Sequence, residues 1–177
     1  MMIKTILNNN AVIAIDENEK EVVIVKNGIG FNSKKGMVLK DNDMEKVFIL
    51  QEKNVSDDMI HLLSLISEEY IEVSKKIVDY GRTVLKTGVH DSIYVTLSDH
   101  IELAVSRKKK GIAFDNAMTW SIKKTYREEY HIGEVALKII QIECGVTLPE
   151  EEAGLIALHF VNAKIHNEPE VTHDFAY

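Results

Sequence analysis

The chain has 177 residues, 45% of them apolar, a net charge of −7 and a single cysteine, and no apolar run nears the roughly 18 residues of a membrane span. These figures leave room for one large or two small domains, exclude an intrachain disulfide, and point to a soluble protein of the reducing cytoplasm. No signal-peptide core is expected, because Asn8-Asn9-Asn10 arrives too early.

The charge is unevenly placed. Residues 1–55 hold eight Lys and eight acidic residues, whereas residues 56–177 hold 13 Lys and Arg against 20 Asp and Glu. An acidic second part repels a polyanion. Any nucleic-acid recognition is therefore confined to the first segment, and must use shape, hydrogen bonds and stacking rather than bulk phosphate attraction.

In chain order, residues 3–7, 11–15, 21–25 and 46–50 are short runs rich in Ile and Val, bounded by Asn, Asp, Glu and Gly clusters. That pattern predicts four strands, and the short turns between the first three predict an antiparallel meander. Asn8–Asn10 and Asp16-Glu17-Asn18-Glu19 are the turns. A longer loop from Asn27 to about Asp43 carries Gly28, Gly30 and Gly36. A sheet of about 55 residues buries little core alone, so its apolar face is expected to be covered by a second copy.

From Ser56 onward the period becomes helical. Ser56 is the expected N-cap, with Asp57 and Asp58 in the first turn. Helices are predicted over 56–67, 69–85, 92–108, 115–130, 134–143 and 150–163, with Gly88, Gly111, Gly133 and Gly145 as stops between them. Pro149 followed by three Glu marks the last start. The fold class is thus α+β: a small antiparallel sheet domain over 1–55, an all-α domain over 56–165, and a tail or truncated linker over 166–177.

Two constellations stand out. Asn8, Asn9, Asn10 and Phe31 combine amides, which donate and accept, with an aromatic on a glycine-flanked loop that can lie against an unpaired base. The same residues read equally as a hairpin closure and a cap on a small core. His100 shares a helical stripe with Leu97, Leu103 and Ala104, and His159 shares one with Ile156 and Ala163. Each histidine taken singly reads as a satisfied residue at a core margin.

The first fifty residues, with Ile3-Lys4-Thr5-Ile6-Leu7, Asn8-Asn9-Asn10, Lys26-Asn27-Gly28-Ile29-Gly30-Phe31 and Glu45-Lys46-Val47-Phe48-Ile49-Leu50, resemble the RNA-binding module of the BglG/LicT-type transcriptional antiterminators. The segments around Ser98-Asp99-His100 and Ala157-Leu158-His159 resemble the PTS regulation domain that follows it in that family. The resemblance covers residues 1 to about 165. It implies RNA contacts at Lys4, Asn8, Asn10, Gly28 and Phe31, phosphorylation at His100 and His159, and Asp99 as an acidic neighbour that orients the first imidazole.

The implied function is a homodimeric regulator rather than an enzyme. It would bind a leader-transcript hairpin of a sugar-utilisation operon, prevent the terminator, and answer to phosphotransfer proteins of the sugar phosphotransferase system. Neither membrane nor DNA is an expected partner, and no cofactor or metal is expected. Two departures stand: Lys26-Asn27 replaces the family's Gly-Arg or Gly-Lys before Gly28, and the second helical copy usual in relatives is missing, as in a fragment or a shortened homologue.

A different class stays open on residues alone. His61 and His90-Asp91 superficially resemble a metal-dependent HD phosphohydrolase, although His90-Asp91 follows Gly88 in an expected turn. Lys108-Lys109-Lys110 before Gly111 reads as a solvated, dipole-favoured helix end rather than a DNA-binding run.

Overall fold

The computed structural model describes residues 1–26, 28–31, 33–40, 48–50, 61–62 and 65–164, with Asn8 and residues 48–50 by backbone alone. Strands β1 (Met2–Asn8), β2 (Ala11–Ile15), β3 (Glu21–Val25) and β4 (Phe48–Leu50) form one antiparallel sheet in the order β1-β2-β3-β4. The helices that follow among the described residues include α1 (Glu68–Val84), α2 (Ser92–Lys109), α3 (Thr119–Thr125), α4 (Arg127–Cys144) and α5 (Glu151–Ala163).

The period-2 alternation of the strands gives the sheet two apolar faces. Ile3, Val12, Ala14, Val22 and Ile24 lie on one, closed by Ile29 and Leu39 from the chain's own β3–β4 connection. Ala11, Val23 and Val25, with Leu7 and Ile13 beside them, lie on the other and join the apolar cluster of the helical module. The first face, expected to need a second copy, is thus covered by residues of the same chain. At the β2–β3 turn, Asp16 accepts from Asn18 N–H and Lys20 N–H, both at 2.8 Å, and Glu19 takes the left-handed conformation with φ 60°.

Helix α5 is the hub of the helical module. It packs on α2, α3 and α4, and its fully buried Phe160 faces Gly81 of α1, where a Cβ would come within 2.3 Å of the ring. The start of α2 is tied to α1 by Arg82, which donates to Tyr94 Oη at 2.9 Å, Val89 carbonyl at 3.1 Å and Asp91 Oδ1 at 2.6 Å. His90 N–H donates to Ala163 carbonyl at 2.7 Å and closes the end of α5 onto the same loop.

The predicted helix pair 115–130 and 134–143 is corrected. The break falls at Tyr126, and α4 runs unbroken through Gly133. Gly133 is not a stop but a point of close approach, because a Cβ there would lie 2.1 Å from Ala153 carbonyl oxygen on α5. Gly145, with φ 66°, does end α4 as a left-handed C-cap. The last helix starts at Glu151, with Pro149 carbonyl accepting Glu152 N–H at 3.1 Å. The N-cap at Ser56, most of the helix expected over 56–67, and the tail over 166–177 lie outside the described residues.

Two of the buried helix glycines, Gly133 and Gly154, make a paired prediction. Gly133→Ala pushes a methyl against backbone that cannot yield, so the loss from overpacking, about 1–3 kcal/mol, exceeds the helix-propensity gain of about 1 kcal/mol. At Gly154 the nearest atom is the Ile122 Cδ1 tip at 3.4 Å, so Gly154→Ala should be neutral or mildly stabilising. Thermal unfolding of both variants checks this; equal effects would contradict the close α4–α5 crossing.

Candidate nucleic-acid interface and histidine seam

The β1–β2 turn and the glycine loop are built as one unit. Lys26 N–H donates to Asn10 carbonyl at 2.9 Å and Gly30 N–H to Asn9 carbonyl at 2.8 Å. Asn10 Oδ1 accepts the N–H of Gly28 at 2.8 Å, and Gly28 takes the left-handed φ of 74° that favours glycine. Ile29 turns inward to the sheet core, and two residues later Phe31 is 77% exposed. The loop thus holds an aromatic ring in solvent on an anchored backbone, where a base can stack on it.

Asn10, Gly28 and Phe31 are therefore brought together. Asn10 also acts as the acceptor that positions Gly28, a role its sequence position does not disclose. Lys4 sits toward the other end of β1, with its ammonium on the Glu21 carboxylate at the start of β3. Both side chains are about half exposed, so that pair holds Lys4 weakly. Asn8 is placed by its backbone at the end of β1, and Asn27 lies outside the described residues.

The second site is a polar seam between α2 and α5. Thr96, His100 and Arg107 share one stripe of α2, and Glu152 and His159, seven residues apart, share one stripe of α5. The helices run in opposite senses here, so contacts climb in order. His159 Nδ1 lies 3.2 Å from Thr96 Oγ1, and the His100 and His159 rings lie 5.0 Å apart between centroids, tilted by 55°. His100 Nε2 meets Glu152 Oε2 at 3.0 Å, and Arg107 Nη2 donates to Glu152 Oε1 at 2.6 Å. Arg107 then lies over the Phe114 ring, 4.6 Å from its centroid.

Glu152 is 2% exposed at its side chain and His100 13%. Burial by itself would raise the Glu152 carboxyl, but the contacts and positive charges of His100 and Arg107 hold it below the ordinary carboxylate range. His159 is pushed down to about 4, first by burial and then by the charge of His100. At neutral pH the seam therefore holds a carboxylate and a neutral imidazole, and a neutral ring nitrogen is a nucleophile.

Asp99 is exposed and lies about 100° round the helix from His100, and the carboxylate that meets the ring is Glu152. Glu152 was hidden among the three Glu after Pro149; its seven-residue spacing to His159 is the signal that places it on the same stripe. His90 is a turn residue, its Nδ1 within 2.9 Å of Ser92 Oγ and accepting Ser92 N–H at 3.2 Å. Among the described residues no three His, Cys, Asp or Glu side chains gather as a metal site requires, and no helix is long and apolar enough to cross a membrane.

Comparison with known proteins agrees with both halves of this geometry. A family model for the CAT RNA binding domain matches residues 1–57, and one for the PRD domain matches residues 75–163. The chain is 42% identical over 168 residues to the transcription antiterminator LicT of Bacillus subtilis, covering 95% of this chain and 61% of that protein. It is 36% identical to the beta-glucoside operon antiterminator of Dickeya chrysanthemi, covering 97% and 61%. The chain thus spans about three fifths of the length of these relatives. The crystal structure of GlcT CAT-PRDI superimposes with a TM-score of 0.72 at 31% identity, over 92% of this chain and 96% of that one. The chain belongs to the BglG/LicT-type antiterminator family, in which a CAT RNA-binding domain is followed by a PRD domain.

Proposed function

We propose that the chain binds a hairpin in the leader transcript of a sugar-utilisation operon as a homodimer, and so keeps an overlapping terminator from forming. The observation that carries this reading is the joining, on one chain, of an anchored exposed aromatic beside an Asn turn to a half-buried histidine pair, in a family whose relatives are named antiterminators. Residues 1–55 are the RNA-binding part, contacting RNA through Lys4, Asn8, Asn10, Gly28 and Phe31. Residues 56–165 are the regulatory part, and residues 166–177 a tail or truncated linker. The setting is the cytoplasm, where leader transcripts and phosphotransfer proteins of the sugar phosphotransferase system are found.

His100 and His159 are the proposed phosphoacceptors. A phosphoryl group adds roughly two negative charges to a module that is already acidic, and at an interface between two copies like charges repel. Phosphorylation then shifts the population away from the dimer that holds RNA. Glu152 and Arg107 hold His100 in place, and the low proton affinity of His159 keeps its ring neutral for attack.

Gel shifts against a panel of terminator-proximal hairpins, with duplex DNA as control, test the reading; binding to none of the hairpins, or equally to DNA, would refute it. Phe31→Ala removes one stacked base and should cost about 1–3 kcal/mol, a loss of roughly 5- to 150-fold in affinity, without unfolding the sheet. Wild-type affinity in folded Phe31→Ala protein would take Phe31 out of the interface. Asn10→Ala should weaken binding by loosening Gly28, with the circular dichroism of the sheet retained.

The seam also makes the fold acid-sensitive. Between an unfolded value of about 6.5 and its folded value of about 4, His159 takes up a proton in the unfolded chain that the folded chain refuses. Its contribution is therefore complete above about pH 6.5 and is lost as the pH falls toward 4. Glu152, held low, adds a loss of the same sign at still lower pH. The melting temperature should drop from pH 7 to pH 5, and His159→Gln should flatten that slope. An unchanged slope in the variant would show that His159 is not held neutral by burial.

A further inference from the structure

We propose that Thr96 and Glu152 direct the phosphoryl group to opposite nitrogens of the two rings, Nε2 of His159 and Nδ1 of His100. This rests on the reading of both histidines as phosphoacceptors, and adds which atom takes the group and which residues decide it.

A neutral imidazole attacks through the nitrogen that carries no proton. Thr96 Oγ1 lies 3.4 Å from the Ile93 carbonyl, one turn back on α2, and a carbonyl only accepts. The hydroxyl proton is thereby turned to Ile93, and the lone pairs of Oγ1 face His159 Nδ1 at 3.2 Å. Nδ1 must supply the proton for that contact. The lone pair of His159 is then on Nε2, which points away from Thr96.

At His100 the arrangement is inverted. Its Nε2 lies 3.0 Å from Glu152 Oε2 as a close charge contact; both atoms are out of contact with solvent and neither completes a well-aligned hydrogen bond. Glu152 is held as a carboxylate by Arg107, and a carboxylate only accepts, so Nε2 carries the proton. When the ring is neutral its lone pair is then on Nδ1, which is not closed off in this way. As Nδ1 attacks, the ring gains positive charge against the carboxylate that already faces it.

With phosphoramidate as donor, the imidazole lone pair forms the new N–P bond. The donor's N–P bond breaks, and ammonia leaves with that electron pair. The ring proton stays in place, on Nδ1 of His159 against Thr96 or on Nε2 of His100 against Glu152. Thr96 and Glu152 touch the ring and not the phosphorus, and act as positioning residues.

Long-range proton–nitrogen spectra of the full chain labelled with 15N-histidine test this at pH 7.5. They are recorded before and after treatment with phosphoramidate, and in parallel with the phosphorylated phosphocarrier protein of the phosphotransferase system. Before treatment His159 should be the Nδ1–H form, and the nitrogen of His100 that carries a proton should include Nε2. Afterwards phosphorus coupling should appear at Nε2 of His159 and Nδ1 of His100. Thr96→Val should release His159 toward the Nε2–H form and move its label toward Nδ1, and Thr96→Ser should restore both.

Label on Nδ1 of His159 or Nε2 of His100 would overturn the assignment and leave the rings standing as phosphoacceptors. Label on neither ring would overturn the phosphoacceptor reading and the assignment with it. Label on one ring alone, at the assigned nitrogen, upholds that ring and overturns the other. A Thr96→Val protein with unchanged tautomer and label would remove Thr96 from the role.

Discussion

The Glu152 carboxylate, buried between His100 and Arg107, is the constraint on which the regulatory site depends. A carboxylate this far from solvent is costly unless paired, and two cationic or proton-bearing partners supply the pairing. Both partners come from α2, so the charge that α5 buries is also what sets the register of one helix on the other. Removing either partner leaves the buried carboxylate with only the other. The same contacts hold the site together, and a phosphoryl group on the proposed acceptors would meet a carboxylate already in place.

The sheet solves a different problem with weaker forces. For the stacking role proposed for it, Phe31 must be exposed yet fixed enough to bind at little entropic cost. Ile29 supplies an apolar anchor two residues before it, and three backbone amides donate to the Asn9-Asn10 turn. The glycines let the chain pass from the buried residue to the exposed one. Neutral net charge over this segment is consistent with recognition by shape and stacking, and the acidic excess lies in the rest of the chain.

Much of this was legible from residues. Strands 11–15 and 21–25 emerge with the expected bounds, because alternation and Asn- or Asp-rich turns act locally. Gly133 was misread for the opposite reason: a glycine in a helical run reads as a stop, and only the neighbouring Ala153 backbone reveals a close crossing. Asp99 attracted attention as the sequence neighbour of His100, yet adjacent residues on a helix face different directions. Glu152, fifty-two residues away, is the spatial neighbour. The anchoring role of Asn10 was likewise out of reach, since its partner Gly28 is eighteen residues on.

The two modules meet in one claim, that charge added at the histidine seam changes how the sheet domain holds RNA. Titrating one hairpin with the same protein sample, before and after stoichiometric phosphorylation, tests it most directly. The account predicts a fall in apparent affinity that tracks the label and is absent when His100 and His159 are both replaced by Ala. Unchanged affinity in fully phosphorylated protein, with the label mapped to those two rings, would contradict it.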